Sequence, residues 1–156
     1  MARTRPAGHP AQMLRRDPRP RIRTQAELDQ LWRGWVRRRN EPPVGTTCLL
    51  VYADGRVTRS TVTFTDLDGP LDDGRQRRFV HWIRHLLDDD TAGWRIAFMI
   101  ARPGAPVVGE RDLAWATSLY VAARLAGVAC EVVHLAAGNQ VRPLPLDALP
   151  SHAFGH

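Results

Sequence analysis

Two histidines, His81 and His85, lie four residues apart in a stretch with helical periodicity, and this spacing makes them candidates for metal chemistry. Side chains at positions i and i+4 share one face of a helix, as in many helical zinc sites. The residues between them lack the glutamate of a His-Glu-x-x-His motif, and no third ligand is evident. We therefore interpret the pair as weak zinc candidates on a solvent-exposed polar face.

Arginines concentrated in the first part of the chain indicate an acidic partner. Guanidinium groups in this number can neutralise phosphates and release counterions when a protein binds nucleic acid, which makes such binding non-specific and salt-sensitive. A solvated basic tail that aids solubility explains the same composition, as does a tail that pairs with the chain's own acidic body or with an acidic protein. The candidate contacts are Arg15, Arg16, Arg19, Arg21, Arg23, Arg37, Arg38 and Arg39.

Common motifs of nucleophilic catalysis and phosphate binding are absent from the sequence. It contains no Gly-x-Ser-x-Gly, no Walker loop and no Gly-x-Gly-x-x-Gly. Cys48 and Cys130 each lie in an apolar, strand-like segment, which favours buried free thiols over a disulfide or a metal site. His134 lies in a similar segment and is interpreted as a residue of the core or a sheet edge. We expect no cofactor.

The composition is that of one globular domain with an unevenly charged chain. The 156 residues include 44% hydrophobic and 24% charged residues, close to the globular average. All the basic residues are arginine: residues 1–40 contain eleven arginines and three acids, whereas residues 41–156 contain eleven arginines and thirteen acids. No apolar run is long enough to cross a bilayer and the first residues have no apolar signal core, so we expect a cytoplasmic protein without membrane contact.

Periodicity and breaker residues divide the chain into an arm, a domain and a tail. Residues 1–23 are rich in Arg and Pro and are predicted to form a flexible arm, 24–146 an α/β domain, and 147–156 a tail. Thr24 and Glu27 form a capping-box pattern at the start of the first helix. The predicted elements are a helix over 25–38, a hairpin over 47–65 turning at Asp54-Gly55, a helix ending at 88–90, a strand over 95–101, a helix over 110–126, and strands over 128–135 and 140–143.

This order, α-β-β-α-β-α-β-β, together with a few local residues, resembles the RadC-like branch of the JAB/MPN domain family. The residues that carry the resemblance are Arg102-Pro103-Gly104 after the buried strand, Asp112 at a helix start, and a strand ending in Val133-His134-Leu135. The resemblance covers roughly residues 25–145. It implies a single-domain, three-layer α/β sandwich with a mixed β-sheet flanked by helices. It also implies a zinc ion held by a His-x-His pair and an Asp, with a Glu that activates a bound water.

The residues at the family's metal positions are mostly of the wrong type. Ile100 and Arg102 stand where the family has its two histidines, and Thr46 stands where it has the glutamate. Asp112 matches the metal-binding Asp. Because Arg102 is always cationic, it would repel a metal ion, and it has the alternative of an ion pair with Asp112. An acid in the first turn of a helix also has an ordinary explanation in the helix dipole.

These observations predict a pseudo-enzyme of JAB/MPN-like fold that acts as a protein-binding or scaffold module. A homodimer is a further expectation, because the edge strand over 140–143 would gain from being covered. Two alternatives stay open from the sequence. One is a zinc-dependent hydrolase with a rearranged site, and the other is a non-specific nucleic-acid binder that uses the arginine-rich arm.

Overall fold

The computed structural model describes residues 21–39, 42–58, 61–87 and 93–145. In this part of the chain, three helices and six strands form one α/β domain. Their order is α1 (Gln25–Arg38), β1 (Gly45–Val51), β2 (Val62–Phe64), α2 (Asp73–Leu86), β3 (Arg95–Ala101), α3 (Glu110–Ala126), β4 (Ala129–Cys130), β5 (Val133–Ala137) and β6 (Gln140–Leu144). No helix among the described residues is both long and apolar enough to cross a lipid bilayer.

The strands form a single mixed sheet, as the sequence analysis predicts. Its order is β2-β1-β3-β5-β6, with β4 paired to β3 beside β5. β1 is antiparallel to both β2 and β3, whereas β5 runs parallel to β3. Parallel neighbours need a crossover connection, and α3 supplies it. Fully buried β1 and β3 form the centre of the domain, which explains their continuous apolar sequences.

Helices cover both faces of the sheet and create two cores. On one face, α1 buries Trp32 and Val36 against residues such as Met99 and Ala136. On the other face, α2 and α3 bury Phe79 and Leu119 against a second set of strand residues. The three-layer arrangement predicted from the sequence is therefore confirmed.

Two features differ from the sequence prediction. Residues 21–23, assigned there to the arm, belong to the described fold: Ile22 is buried and Arg21 forms a β-bridge with Arg56. The domain therefore begins before Thr24. The segment 1–20, with Arg15, Arg16 and Arg19, the predicted helix end at 88–90, and the tail from 147 onward lie outside the described residues.

The predicted strand over 128–135 is interrupted. Ile96 pairs with Cys130 and Met99 pairs with His134, so the strand opposite β3 holds one extra residue between these pairs. The buried Tyr120 hydroxyl accepts a hydrogen bond from the backbone N–H of Val133 at 2.8 Å and donates one to the carbonyl of Leu144 at 2.9 Å. A side chain of α3 thus takes the place of a strand partner where β4 ends and β5 begins.

Candidate functional site

The residues at the family's metal positions meet where β3 ends beneath the start of α3. Thr46 of β1 is the register partner of Ile100 of β3, and both are fully buried. Arg102 follows two residues after Ile100, so its side chain leaves the same face of the sheet. Asp112 lies in the first turn of α3 and contacts Arg102. The four positions, of which only Thr46 is distant in sequence, therefore occupy one small region.

Arg102 bonds with all of its guanidinium N–H groups. Nε and Nη2 donate to the two carboxylate oxygens of Asp112 at 2.6 and 2.8 Å. Nη1 donates to the carbonyls of Pro103 and Ala105, and Nη2 donates also to the carbonyl of Val107. An arginine has five N–H donors in a fixed fork, and each has an acceptor here. Arg102 therefore clamps the loop 103–109 onto the first turn of α3.

Asp112 is held as a carboxylate. Its side chain is only 3% exposed and accepts a third hydrogen bond, from the backbone N–H of Gly109 at 2.9 Å. Burial raises the pKa of this group, but the bonds from Arg102 and Gly109 outweigh burial, and the pKa lies below its ordinary value. The pKa of Arg102 is raised by its bond to Asp112. The charges are paired inside the protein and do not face an incoming ligand.

Thr46 and Ile100 complete a dry, satisfied environment. The Thr46 hydroxyl donates to the carbonyl of Leu67 at 2.8 Å and accepts from Nε1 of Trp115 at 3.0 Å. The resemblance would assign Thr46 the position of a general base, but a hydroxyl with both bonds made cannot take a proton from water at neutral pH. Ile100 offers no donor atom, and both oxygens of Asp112 are engaged. The residues present do not fit a zinc ion.

The other metal candidates are not assembled into a site. His81 and His85 lie on the exposed side of α2, as expected for a solvated polar face. Among the described residues, no group of three or more His, Cys, Asp or Glu side chains lies close enough to hold a metal ion. Cys48 and Cys130 are free thiols, and burial raises the pKa of Cys48 to about 12, so this thiol is not a nucleophile at neutral pH.

Five of the arginines predicted to contact nucleic acid or an acidic partner are among the described residues, and they lie around α1. Arg21 and Arg23 precede the helix, and Arg37, Arg38 and Arg39 end it, all with exposed side chains. A groove of about 830 Å³ runs between α1 and the β1–β2 hairpin, with Arg21 and Arg38 among its lining residues. The structure therefore gathers these arginines on the α1 side of the sheet, opposite the Arg102 loop.

A buried polar chain on the same side escaped the sequence analysis. His134 of β5 is completely buried, and its Nδ1–H donates to the carbonyl of Val132 at 3.0 Å. Its Nε2 lies 3.4 Å from Oδ1 of Asp29, whose other oxygen accepts a 2.6 Å bond from Arg33. Burial lowers the pKa of His134 more than Asp29 raises it. Only the packing of α1 on β5 brings these residues together, so no local signal could have predicted the pair.

No protein-family model, curated protein or solved structure matches the chain.

Proposed function

We propose that the protein is a non-catalytic binding module of JAB/MPN-like fold in which an arginine has replaced the metal centre. The observation that carries the proposal is the complete hydrogen bonding of Arg102. A metal ion in the resembling family organises the loop after the buried strand and the start of the next helix. Here one guanidinium ties the same two segments together, without a ligand position open to substrate.

The convergence of the four positions supports the resemblance itself. Thr46, Ile100, Arg102 and Asp112 were aligned with the family on sequence order alone, yet they lie together beneath α3. Thr46 is the one position remote in sequence, and the pairing of β1 with β3 brings it beside Ile100. A fold of this kind without its catalytic groups keeps its surfaces for binding.

The proposal does not include a homodimer through the sheet edge. Edge strand β6 carries Arg142 and Pro143, and a charged residue and a proline are features that discourage pairing between edges.

The experiment restores the family's ligand types and measures metal binding. The full chain and an Ile100→His/Arg102→His variant are purified without chelators, analysed for zinc, and titrated with Co²⁺ while its visible absorption is recorded. We expect no stoichiometric zinc in the native chain. In the variant we expect a tetrahedral Co²⁺ spectrum, because two histidines and Asp112 then supply three ligands.

The matched control adds Asp112→Asn to the double-histidine variant. This substitution should abolish the tetrahedral Co²⁺ spectrum. One equivalent of zinc in the native chain would instead support the hydrolase with a rearranged site. A variant that folds, judged by circular dichroism, but binds no Co²⁺ would remove the resemblance from the argument.

A further inference from the structure

A second groove, on the opposite side of α1 from the hairpin, collects arginines from two elements. It has a volume of about 500 Å³ and lies between α1 and β6. Arg33 and Arg37 enter it from one helix face, since they are four residues apart. Arg142 borders it at the edge strand, where its register partner Leu135 belongs to the core on the other face of the sheet. The amide side chains of Asn139 and Gln140 also line it. We name this surface the α1–β6 groove.

The β5–β6 hairpin fixes the position of Arg142 in the sheet. Gly138 and Asn139 have φ values of 54° and 65°, the left-handed pair that a tight two-residue turn requires. The turn fixes Ala137 opposite Gln140 and Leu135 opposite Arg142. Arg142 is thus held by the sheet. The dipole of α1 favours basic residues in the last turn of that helix. It does not account for Arg142, which lies on a strand.

The groove keeps unused positive charge. Arg33 is paired with Asp29 at 2.6 Å, and Arg142 donates one bond to the side-chain carbonyl of Gln140 at 3.0 Å. Arg37 forms no ion pair with a described residue and is exposed. Toward the described residues, each guanidinium has further N–H groups without a bonded acceptor, and Asp29 is the single acid among those residues in contact with these three. An anion in the groove would meet several donors arranged as forks.

The tryptophans of α1 are closed to bases, and neither lines the α1–β6 groove. Trp32 is fully buried, and the guanidinium of Arg39 lies 4.5 Å from the centre of the Trp35 ring. Recognition of unstacked bases uses exposed aromatic faces, and neither ring offers one. Planar guanidinium forks fit phosphate oxygens in bidentate fashion. The chemistry here is that of backbone recognition without base reading.

We propose that the α1–β6 groove binds the phosphate backbone of a nucleic acid. Arg33, Arg37 and Arg142 contact successive phosphates, and the amides of Asn139 and Gln140 add neutral hydrogen bonds. The proposal goes beyond the non-catalytic role inferred above. Arg102 does not line the groove, although its loop packs against Gly138 of the turn beside it. The two experiments substitute different residues and measure different ligands, so each proposal can fail while the other holds.

The experiment measures how salt affects binding of the full chain to a fluorescein-labelled 20-base-pair DNA duplex and a matched RNA duplex. Fluorescence anisotropy is recorded between 50 and 200 mM NaCl for the native chain and for Arg37→Gln/Arg142→Gln. Each lost phosphate contact lowers the slope of log K against log[salt] by about one, so the variant should show a slope smaller by about two and roughly tenfold weaker binding at low salt.

Two matched variants identify the surface responsible. Arg77→Gln/Arg78→Gln removes the same charge from exposed positions on α2, beyond the opposite face of the sheet, and should leave the slope unchanged. Arg15→Gln/Arg16→Gln/Arg19→Gln tests the segment outside the described residues. Equal losses for the α1–β6 and α2 variants would show a net-charge effect, and loss in the arm variant alone would assign binding to the arm.

Equal losses in the α1–β6 and α2 variants, or a loss in the arm variant alone, would overturn the proposal. Failure of the native chain to bind either duplex would overturn it as well. Polyglutamate is titrated in parallel. If it binds in the groove and the duplexes do not, the partner is an acidic protein and not a nucleic acid. Every described residue that these variants replace is exposed. We therefore expect the variants to fold, and urea denaturation checks this.

Discussion

Arg102 performs a structural task that a single hydrogen bond could not. Its guanidinium joins three carbonyls of the loop 103–109 to the carboxylate of Asp112, and so replaces several separate interactions with one rigid group. The Arg102 side chain is 22% exposed while that of Asp112 is 3% exposed, so the acid depends on its partner for compensation. Removing the arginine would leave the buried charge of Asp112 without its partner and would release three exposed carbonyls of the loop to water.

We expect Arg102→Met to lower the free energy of unfolding by about 3 kcal/mol, as is typical when one partner of a buried ion pair is removed. Urea denaturation followed by circular dichroism measures the change. Arg56→Met is the matched control: Arg56 is paired with Asp54 at 2.7 Å, but both side chains are exposed. Its loss should cost no more than about 1 kcal/mol. Equal costs for the two variants would show that Arg102 is not a clamp.

At the scale of elements, local signals set the helix bounds. The capping box of Thr24 and Glu27 and the glycine at 127 predict where α1 begins and α3 ends, and the structure confirms both helices over their predicted residues. Each signal acts on a neighbouring backbone group, so the sequence alone is sufficient. The hairpin turn at Asp54-Gly55 was predictable for the same reason.

Features set by distant contacts were not predictable. The break between β4 and β5 depends on the hydroxyl of Tyr120, which reaches them from α3. The exposure of Leu125 at the end of α3, about half at 52%, also depends on a distant element, since this residue borders a groove lined by α2. At the candidate site, the alignment predicted which four residues belong together, but not that Arg102 bonds to three loop carbonyls.

Alanine substitutions at two glycines, one inside α1 and one at the end of α3, should change the free energy of unfolding in opposite directions. Gly127 ends α3 with φ of 77°, a conformation that alanine adopts only with strain, so Gly127→Ala should destabilise the fold by about 1 kcal/mol. Gly34 lies inside α1, where an added Cβ meets only the mobile end of Arg38 at 3.3 Å. Gly34→Ala should therefore stabilise it by roughly 0.5 to 1 kcal/mol. Urea midpoints of both variants test this, and a loss at Gly34 would mean that Arg38 cannot move aside.

Across the whole molecule, the two sides of the sheet carry different arrangements of charge. On the α3 side, Arg102 and Asp112 neutralise each other beneath a closed loop. On the α1 side, the arginines Arg37 and Arg38 are exposed to solvent, and Arg142 is exposed at the edge of the sheet. The first arrangement stabilises the fold and the second is available to a partner. The two should therefore differ in their response to salt, since buried pairs are screened far less than exposed charges.

The stability of the whole domain should fall in two steps as the pH is lowered. Burial holds the pKa of His134 below its ordinary value of 6.5, although Val132 and Asp29 oppose this shift. Below about pH 6.5 the unfolded chain therefore binds a proton that the folded chain resists, and stability declines. The pKa of Asp112 lies below its ordinary value of 3.8, so the stabilisation from its ion pair is complete above that pH and is lost as the pH falls through the folded value.

Two variants assign the steps to their residues when urea midpoints are compared at pH 7.5, 5.5, 4.5 and 3. His134→Leu has no imidazole to protonate, so its midpoint should change less than that of the native chain between pH 7.5 and 5.5. Arg102→Met lacks the ion pair, so the difference between its midpoint and the native one should be largest near neutrality and should shrink below pH 4. A His134→Leu profile parallel to the native one between pH 7.5 and 5.5 would mean that the buried imidazole takes up its proton as readily in the folded chain as in the unfolded one, and that the contact with Asp29 compensates fully for burial.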